Sequence, residues 1–91
     1  MYSKKTKIIN ETGLHARPAS AFIAEAKKYK SQITIADLDK AKNNPSNAKS
    51  IIAILSLGIG PGTNVEISAD GEDETKAVNA LVKLIESGFG E

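Results

Sequence analysis

Two periodicities alternate along this chain. Residues 3–9 alternate weakly and are closed by Asn10, Glu11, Thr12 and Gly13, which predicts a short first strand. Over 16–29, Ala19, Phe22, Ile23 and Ala26 recur at helical spacing and predict a helix with one apolar face. Lys27, Lys28 and Lys30 fall in its last turn or just beyond, where positive charge meets the negative end of the helix dipole. Residues 32–36 alternate with period two and put Ile33 and Ile35 inward on a second strand. The polar stretch 37–49 contains Asn43-Asn44-Pro45-Ser46-Asn47 and reads as a hairpin connection to a poorly apolar third strand near 46–48. Pro45 suits a strand edge or a turn there.

Ser50 is a natural N-cap for a short helix over 51–57, because its hydroxyl can accept a bond from a free N–H of the first turn. Gly58 is placed to end that helix. After a Gly60-Pro61-Gly62 turn, Val65, Ile67 and Ala69 alternate with Asn64, Glu66 and Ser68 as a half-buried fourth strand. The acidic run from Asp70 to Glu74 opens the last helix at its positive end. Its expected buried stripe is Ala77, Val78, Leu81, Leu84 and Ile85, and Gly88 ends it. The order is β-α-β-β-α-β-α. Short hairpin links and alternating strands predict an α+β sandwich, with helices on one face of an antiparallel or mixed sheet.

Length and composition narrow the picture. Ninety-one residues make one domain over 1–91. A hydrophobic share of 41% with 25% charged residues is ordinary for a globular chain. Cysteine is absent, which excludes disulfides, thiolate metal sites and cysteine nucleophiles. No metal and no cofactor are expected. The longest wholly apolar run, 51–55, is far short of the ~20 residues a membrane span needs, and the basic start is not followed by a signal-peptide apolar stretch. No membrane insertion is expected, and the cytoplasm is the simplest compartment.

Charge is balanced overall at +1 but unevenly spread: residues 1–50 carry a net +6 and residues 51–91 a net −5. The balance and the scarcity of aromatic residues argue against direct nucleic-acid binding. The basic half favours an acidic or phosphate-bearing partner.

The chemistry concentrates in Gly13-Leu14-His15-Ala16-Arg17-Pro18-Ala19-Ser20. His15 is the one histidine in the chain and stands one residue before the first predicted helix. Pro18 falls in the first turn, where its missing N–H has no intrahelical partner to lose. Gly13 lets the backbone turn sharply just before. The imidazole is thus set beside free N–H groups at Ala16 and Arg17 and the positive end of a dipole. A neutral imidazole is a nucleophile, and the setting welcomes an anion such as phosphate. Arg17 adds a planar guanidinium suited to phosphate oxygens. Together these describe a residue that accepts a phosphoryl group and then gives it away. A lone histidine near a helix start is more often a plain surface or capping residue than a nucleophile, and the spacing of Gly, Arg and Pro around it is what weighs against that here.

Gly-Leu-His-Ala-Arg-Pro-Ala resembles the active-site signature of HPr, the histidine-containing phosphocarrier of the bacterial sugar phosphotransferase system. A second stretch, Lys49-Ser50-Ile51-Ile52-Ala53-Ile54-Leu55-Ser56-Leu57-Gly58, resembles the regulatory-serine segment of the same family. The resemblance spans essentially the whole chain. It implies an open-faced β-sandwich, a four-stranded antiparallel sheet with three helices on one face. It implies that His15 takes a phosphoryl group on Nδ1 from enzyme I, with Arg17 as phosphate partner, and passes it to enzyme IIA domains. The protein is then a substrate of phosphotransferases, without turnover of its own, and a monomer. The resemblance further implies phosphorylation of Ser50 by an HPr kinase/phosphorylase and recognition of that form by catabolite control protein A.

Physical sense supports a modified Ser50. A phosphoserine at a helix N-terminus is locally tolerated, while it repels an acidic partner surface. Simple capping is the alternative role, and the two are compatible. Docking of partners is expected on Ser20, Lys27, Lys49, Ile51, Ile52 and Leu55, with Ile51 and Leu55 partly exposed and Ile54 and Leu57 in the core. The Asp39–Ser46 hairpin is longer than the resemblance implies, and Ala48 stands where a larger apolar residue is usual. Two other readings stay open: a purely regulatory binding module acting through Ser50, and an unrelated α+β domain that binds RNA or a metabolite.

Overall fold

A computed structural model describes residues 1–42 and 44–90. Asn43 of the expected hairpin and the terminal Glu91 lie outside the described residues. The elements run β1 (Tyr2–Lys7), α1 (Ala16–Ala26), β2 (Gln32–Asp37), β3 (Ser46–Asn47), α2 (Ile51–Leu57), β4 (Asn64–Asp70) and α3 (Glu74–Glu86), followed by a 3-10 turn at Gly88–Gly90. The strands form one antiparallel sheet in the order β1-β4-β2-β3. This is the open-faced α+β sandwich expected.

Alternation decides what each strand buries. Val65, Ile67 and Ala69 of β4 point into the core beside Ile33 and Ile35 of β2, and Ile35 pairs directly with Ile67. All three helices set their apolar sides into the same cluster: Ala19, Phe22, Ile23 and Ala26 from α1, Ile54 from α2, and Ala77, Val78, Leu81, Val82 and Ile85 from α3. The other sheet face carries polar residues in register. There Ser3 stands opposite Ser68, and their hydroxyls meet at 2.8 Å.

Four expectations shift in detail. β1 ends at Lys7 and not at residue 9, because Ile8 turns fully into the core and bonds to the 60s turn (Ile8 N–H to Thr63 carbonyl, 2.9 Å; Gly62 N–H to Ile8 carbonyl, 2.7 Å). Helix α1 stops at Ala26, and the chain tightens to i−3 bonds at Lys28 and Tyr29, so the lysines lie past the helix end. Helix α3 begins at Glu74. Its buried stripe takes Val82 where Leu84 was expected, since α3 lies across β1 and β4 and leaves Leu84 half-exposed beside Glu25. The third strand is confined to Ser46–Asn47, with Ala48 buried behind it and bonded to the Ile33 carbonyl at 2.9 Å.

The longer hairpin is tied at its base. The Asp39 carboxylate accepts the Asn64 backbone N–H (3.0 Å) and side-chain amide (3.1 Å), which hold it below the usual carboxylate range. Beside it, the Lys40 ammonium donates to the Leu57 carbonyl at the end of α2.

A second tie joins distant parts of the chain. Asp73, the residue before α3, does not cap that helix with its side chain. Its carboxylate accepts the Ser31 hydroxyl, the Lys30 N–H (2.9 Å) and the Ser31 N–H (3.0 Å) at the start of β2. These donors, the Ser31 hydroxyl foremost, lower its pKa from 3.8 to about 2. A depressed folded-state pKa means that Asp73 contributes stability above its unfolded value and loses it as pH falls through the folded one. Asp73→Asn is therefore expected to be less stable than the parent at neutral pH, and to lose less further stability between about pH 4 and pH 2. Urea midpoints across that range check both signs; parallel acid limbs would rule the tie out as their source.

Candidate functional site

The site begins with a loop that is pressed into place. Beyond Ile8 the chain makes a turn closed by the Gly13 N–H and the Asn10 carbonyl at 3.3 Å. Gly13 has φ +68°, and a Cβ there would lie 2.5 Å from the Ile59 carbonyl oxygen and 2.8 Å from the Gly60 Cα. Only glycine fits so close to a neighbouring backbone at that φ. Leu14 is fully buried, and its N–H donates to the Ile59 carbonyl at 3.0 Å. Residues 13 and 14 are thus fastened to the chain that leaves α2.

His15 follows with an extended backbone (φ −131°, ψ 159°) and an exposed side chain. It occupies the N-cap position of α1, yet its ring makes no capping hydrogen bond. The first turn holds no acidic residue. Ala16 and Arg17 are exposed as well, while Pro18 and Ala19 turn inward and anchor the helix. The ring, the opening N–H groups of α1 and the guanidinium of Arg17 are consecutive along one exposed corner. An anion there would meet helix-terminal donors and the exposed cation of Arg17, with no carboxylate in the first turn to oppose it.

Sequence reasoning missed the conformation of Ala16. Its φ is +51°, in the left-handed region, at the first helical position. For a residue with a Cβ that costs roughly 1–2 kcal/mol, held in place by the buried Leu14 before it and Pro18 after it. The residue type alone carries no signal for this.

The other predicted residues divide. Ser20, Lys27 and Ile51 line one open groove of about 320 Å³ between α1 and α2, with Ile23 and Ala24. Ile51, Ile52 and Leu55 are 43%, 76% and 44% exposed, and Ile54 beside them is fully buried. Leu57 is half-buried and packs against the core. Lys49 stands apart, since its ammonium donates to the Tyr29 carbonyl at 2.7 Å and ties the end of α1 to the start of α2.

Ser50 caps α2 as expected: its Oγ accepts the Ala53 N–H at 3.2 Å, and Gly58 closes the helix in the left-handed conformation. Ser50→Ala is expected to cost about 1 kcal/mol, read as a shift in urea midpoint. A variant as stable as the parent would deny the cap any weight.

Known proteins match this arrangement. Residues 2–87 fit the family profile described as "PTS HPr component phosphorylation site". The phosphocarrier protein HPr of Haemophilus influenzae is 47% identical over 85 residues, which are 93% of this chain and 95% of that protein. A crystal structure of HPr-C-His from Thermoanaerobacter tengcongensis is 49% identical with a TM-score of 0.91, covering 100% of this chain and 98% of the other. A crystal structure described as an HPr dimer from the same organism, also 49% identical and covering 100% of each chain, superposes with a TM-score of 0.75. By profile, sequence and fold, this chain belongs to the HPr family, the phosphocarriers of the phosphotransferase system.

Proposed function

We propose that this chain carries its phosphoryl group on His15. The observation behind this reading is the exposed, uncapped imidazole at the opening of α1. The Nδ1 lone pair forms a P–N bond as the bond between phosphorus and phosphorylated enzyme I breaks. The group then leaves to an enzyme IIA acceptor by the same exchange. First-turn N–H groups at Ala16 and Arg17, and the Arg17 guanidinium, neutralise the phosphoryl oxygens in between. A dipole contribution of about 0.3–1 kcal/mol favours the bound group without trapping it, as a carrier requires. Chain and partners divide the chemistry: this protein is a substrate and has no turnover of its own, so catalysis belongs to the enzymes that load and unload it. It works as a single domain over 1–91, as a monomer, in the cytoplasm.

Docking in this reading uses the groove of Ser20, Lys27 and Ile51 with the exposed Ile52 and Leu55 beside it. An apolar patch with a basic rim suits a transient protein partner. Ser50 sits at the edge of the same patch and supports a regulatory role. Phosphorylation there by an HPr kinase/phosphorylase puts about −1.5 to −2 charges beside Ile51. It disfavours acidic partners and recruits an Arg-bearing one such as catabolite control protein A.

Enzyme I with phosphoenolpyruvate tests the carrier role. A phosphorus NMR spectrum should show one acid-labile, base-stable phosphate with the shift of an Nδ1-phosphoimidazole. Failure to take up any phosphate, with a competent control protein beside it, would leave only the module that acts through Ser50.

A further inference from the structure

We infer that Asn10 is a positioning residue for phosphoryl transfer at His15, acting through the Gly13 carbonyl. This rests on the carrier role proposed above. Asn10 is 4% exposed, a buried polar side chain like Ser31 and Asp37 among the described residues. A buried amide is costly unless its hydrogen bonds are made. Here it spans the turn from inside. The Nδ2 group donates to the Gly13 carbonyl at 2.9 Å and to the Thr12 hydroxyl at 3.2 Å, while the Asn10 carbonyl accepts the Gly13 N–H at 3.3 Å. Residue 13 is therefore gripped at both its N–H and its C=O by residue 10.

The opposite side of the loop is equally constrained. Gly13 lies against the Ile59 and Gly60 backbone, and Leu14 donates to the Ile59 carbonyl. The peptide joining Gly13 to Leu14 is clamped between the Asn10 amide and the chain beyond α2. His15 is the next residue, and Ala16 after it holds a left-handed φ that relaxes if the loop is free to shift. Asn10 does not line the α1–α2 groove, so its removal is expected to act on the ring and not on docking. Misplacing a reacting group by about 1 Å can cost on the order of a hundredfold in rate.

Asn10→Leu and Asn10→Asp separate this role from a purely structural one. Leucine removes both donors at similar size. Aspartate keeps the shape but turns a donor into an acceptor facing the Gly13 carbonyl oxygen. Rapid-mixing transfer from phosphorylated enzyme I would be measured for the parent and both variants, with urea midpoints and amide NMR spectra to establish folding. The expected result is a fall in the maximal transfer rate of about tenfold to a hundredfold, with the concentration dependence unchanged. In folded Asn10→Leu, Gly13, His15 and Ala16 amide signals should shift or broaden while those of α2 stay put. A folded variant that transfers at the parental rate overturns the inference. If Asn10→Leu does not fold, Asn10→Asp carries the same comparison, and its parental rate would be equally fatal. A parent that takes up no phosphoryl group removes the carrier role itself, a different failure that the parental measurement alone reveals.

Discussion

His15→Ala is expected to take up no phosphoryl group from enzyme I and phosphoenolpyruvate, while its stability stays within about 0.5 kcal/mol of the parent. The two halves of that result come from separate observations. His15 is the one imidazole in the chain and there is no cysteine, so no second imidazole or thiolate can replace it. The hydroxyls that remain, Ser20 on α1 among them, are weak nucleophiles at neutral pH, and the Ser31 hydroxyl, which does meet a carboxylate, is engaged in the tie to Asp73. Stability is spared because the ring is exposed and caps nothing, and alanine accepts the extended backbone of residue 15. Labelling with radioactive phosphoenolpyruvate and a urea titration measure both quantities. Undiminished, acid-labile incorporation in His15→Ala would place the acceptor elsewhere and undo the proposed role.

Gly13→Ala is expected to be the more damaging change to the molecule as a whole. Two penalties coincide at this position. The added Cβ must tolerate φ +68°, and it would lie 2.5 Å from the Ile59 carbonyl oxygen, a distance that real Cβ atoms do not adopt. Backbone cannot yield as a flexible side chain would, so the loop of residues 10–14 must move away from 59–60. Strain of this kind and the repacking around buried Leu14 together suggest a loss of about 2–4 kcal/mol. Because His15 is two residues on, phosphoryl uptake should fall in the folded fraction too. Urea midpoints and transfer rates under conditions where the variant is fully folded separate the two effects. A variant of parental stability would show that the contact with 59–60 does not support the loop.

Both expectations rest on parts of the molecule that were unequally legible. The interior of β2, β4 and α1 follows from periodicity alone: Ile33 and Ile35, Val65 and Ile67, Phe22 and Ile23 are buried as their spacing demands. The Ser50 cap was legible for the same reason, since a hydroxyl just before an apolar helical run has one nearby use. The α3 stripe was read less well, because Val82 and Leu84 are both apolar and helical spacing does not say which flank meets β1. By local sequence Asp73 is a helix-end charge. Its carboxylate instead reaches the start of β2, more than forty residues away in sequence, a pairing no local pattern encodes.

At the functional corner, the chain itself determined the reactive group, its position one residue before a helix, the arginine two residues on and the serine before the second helix. These are local facts of residue type and order, governed by turn chemistry and capping. The fold alone decided how the corner is held: the left-handed Ala16, the buried Asn10 under the Gly13 carbonyl, and the wall that Ile59 and Gly60 set against the loop. Likewise, packing spent Lys49 on the Tyr29 carbonyl and left Ile52 in solvent. The physical reason is the same in each case. Steric fit and hydrogen-bond satisfaction inside a close-packed interior depend on groups that meet only after the chain has folded.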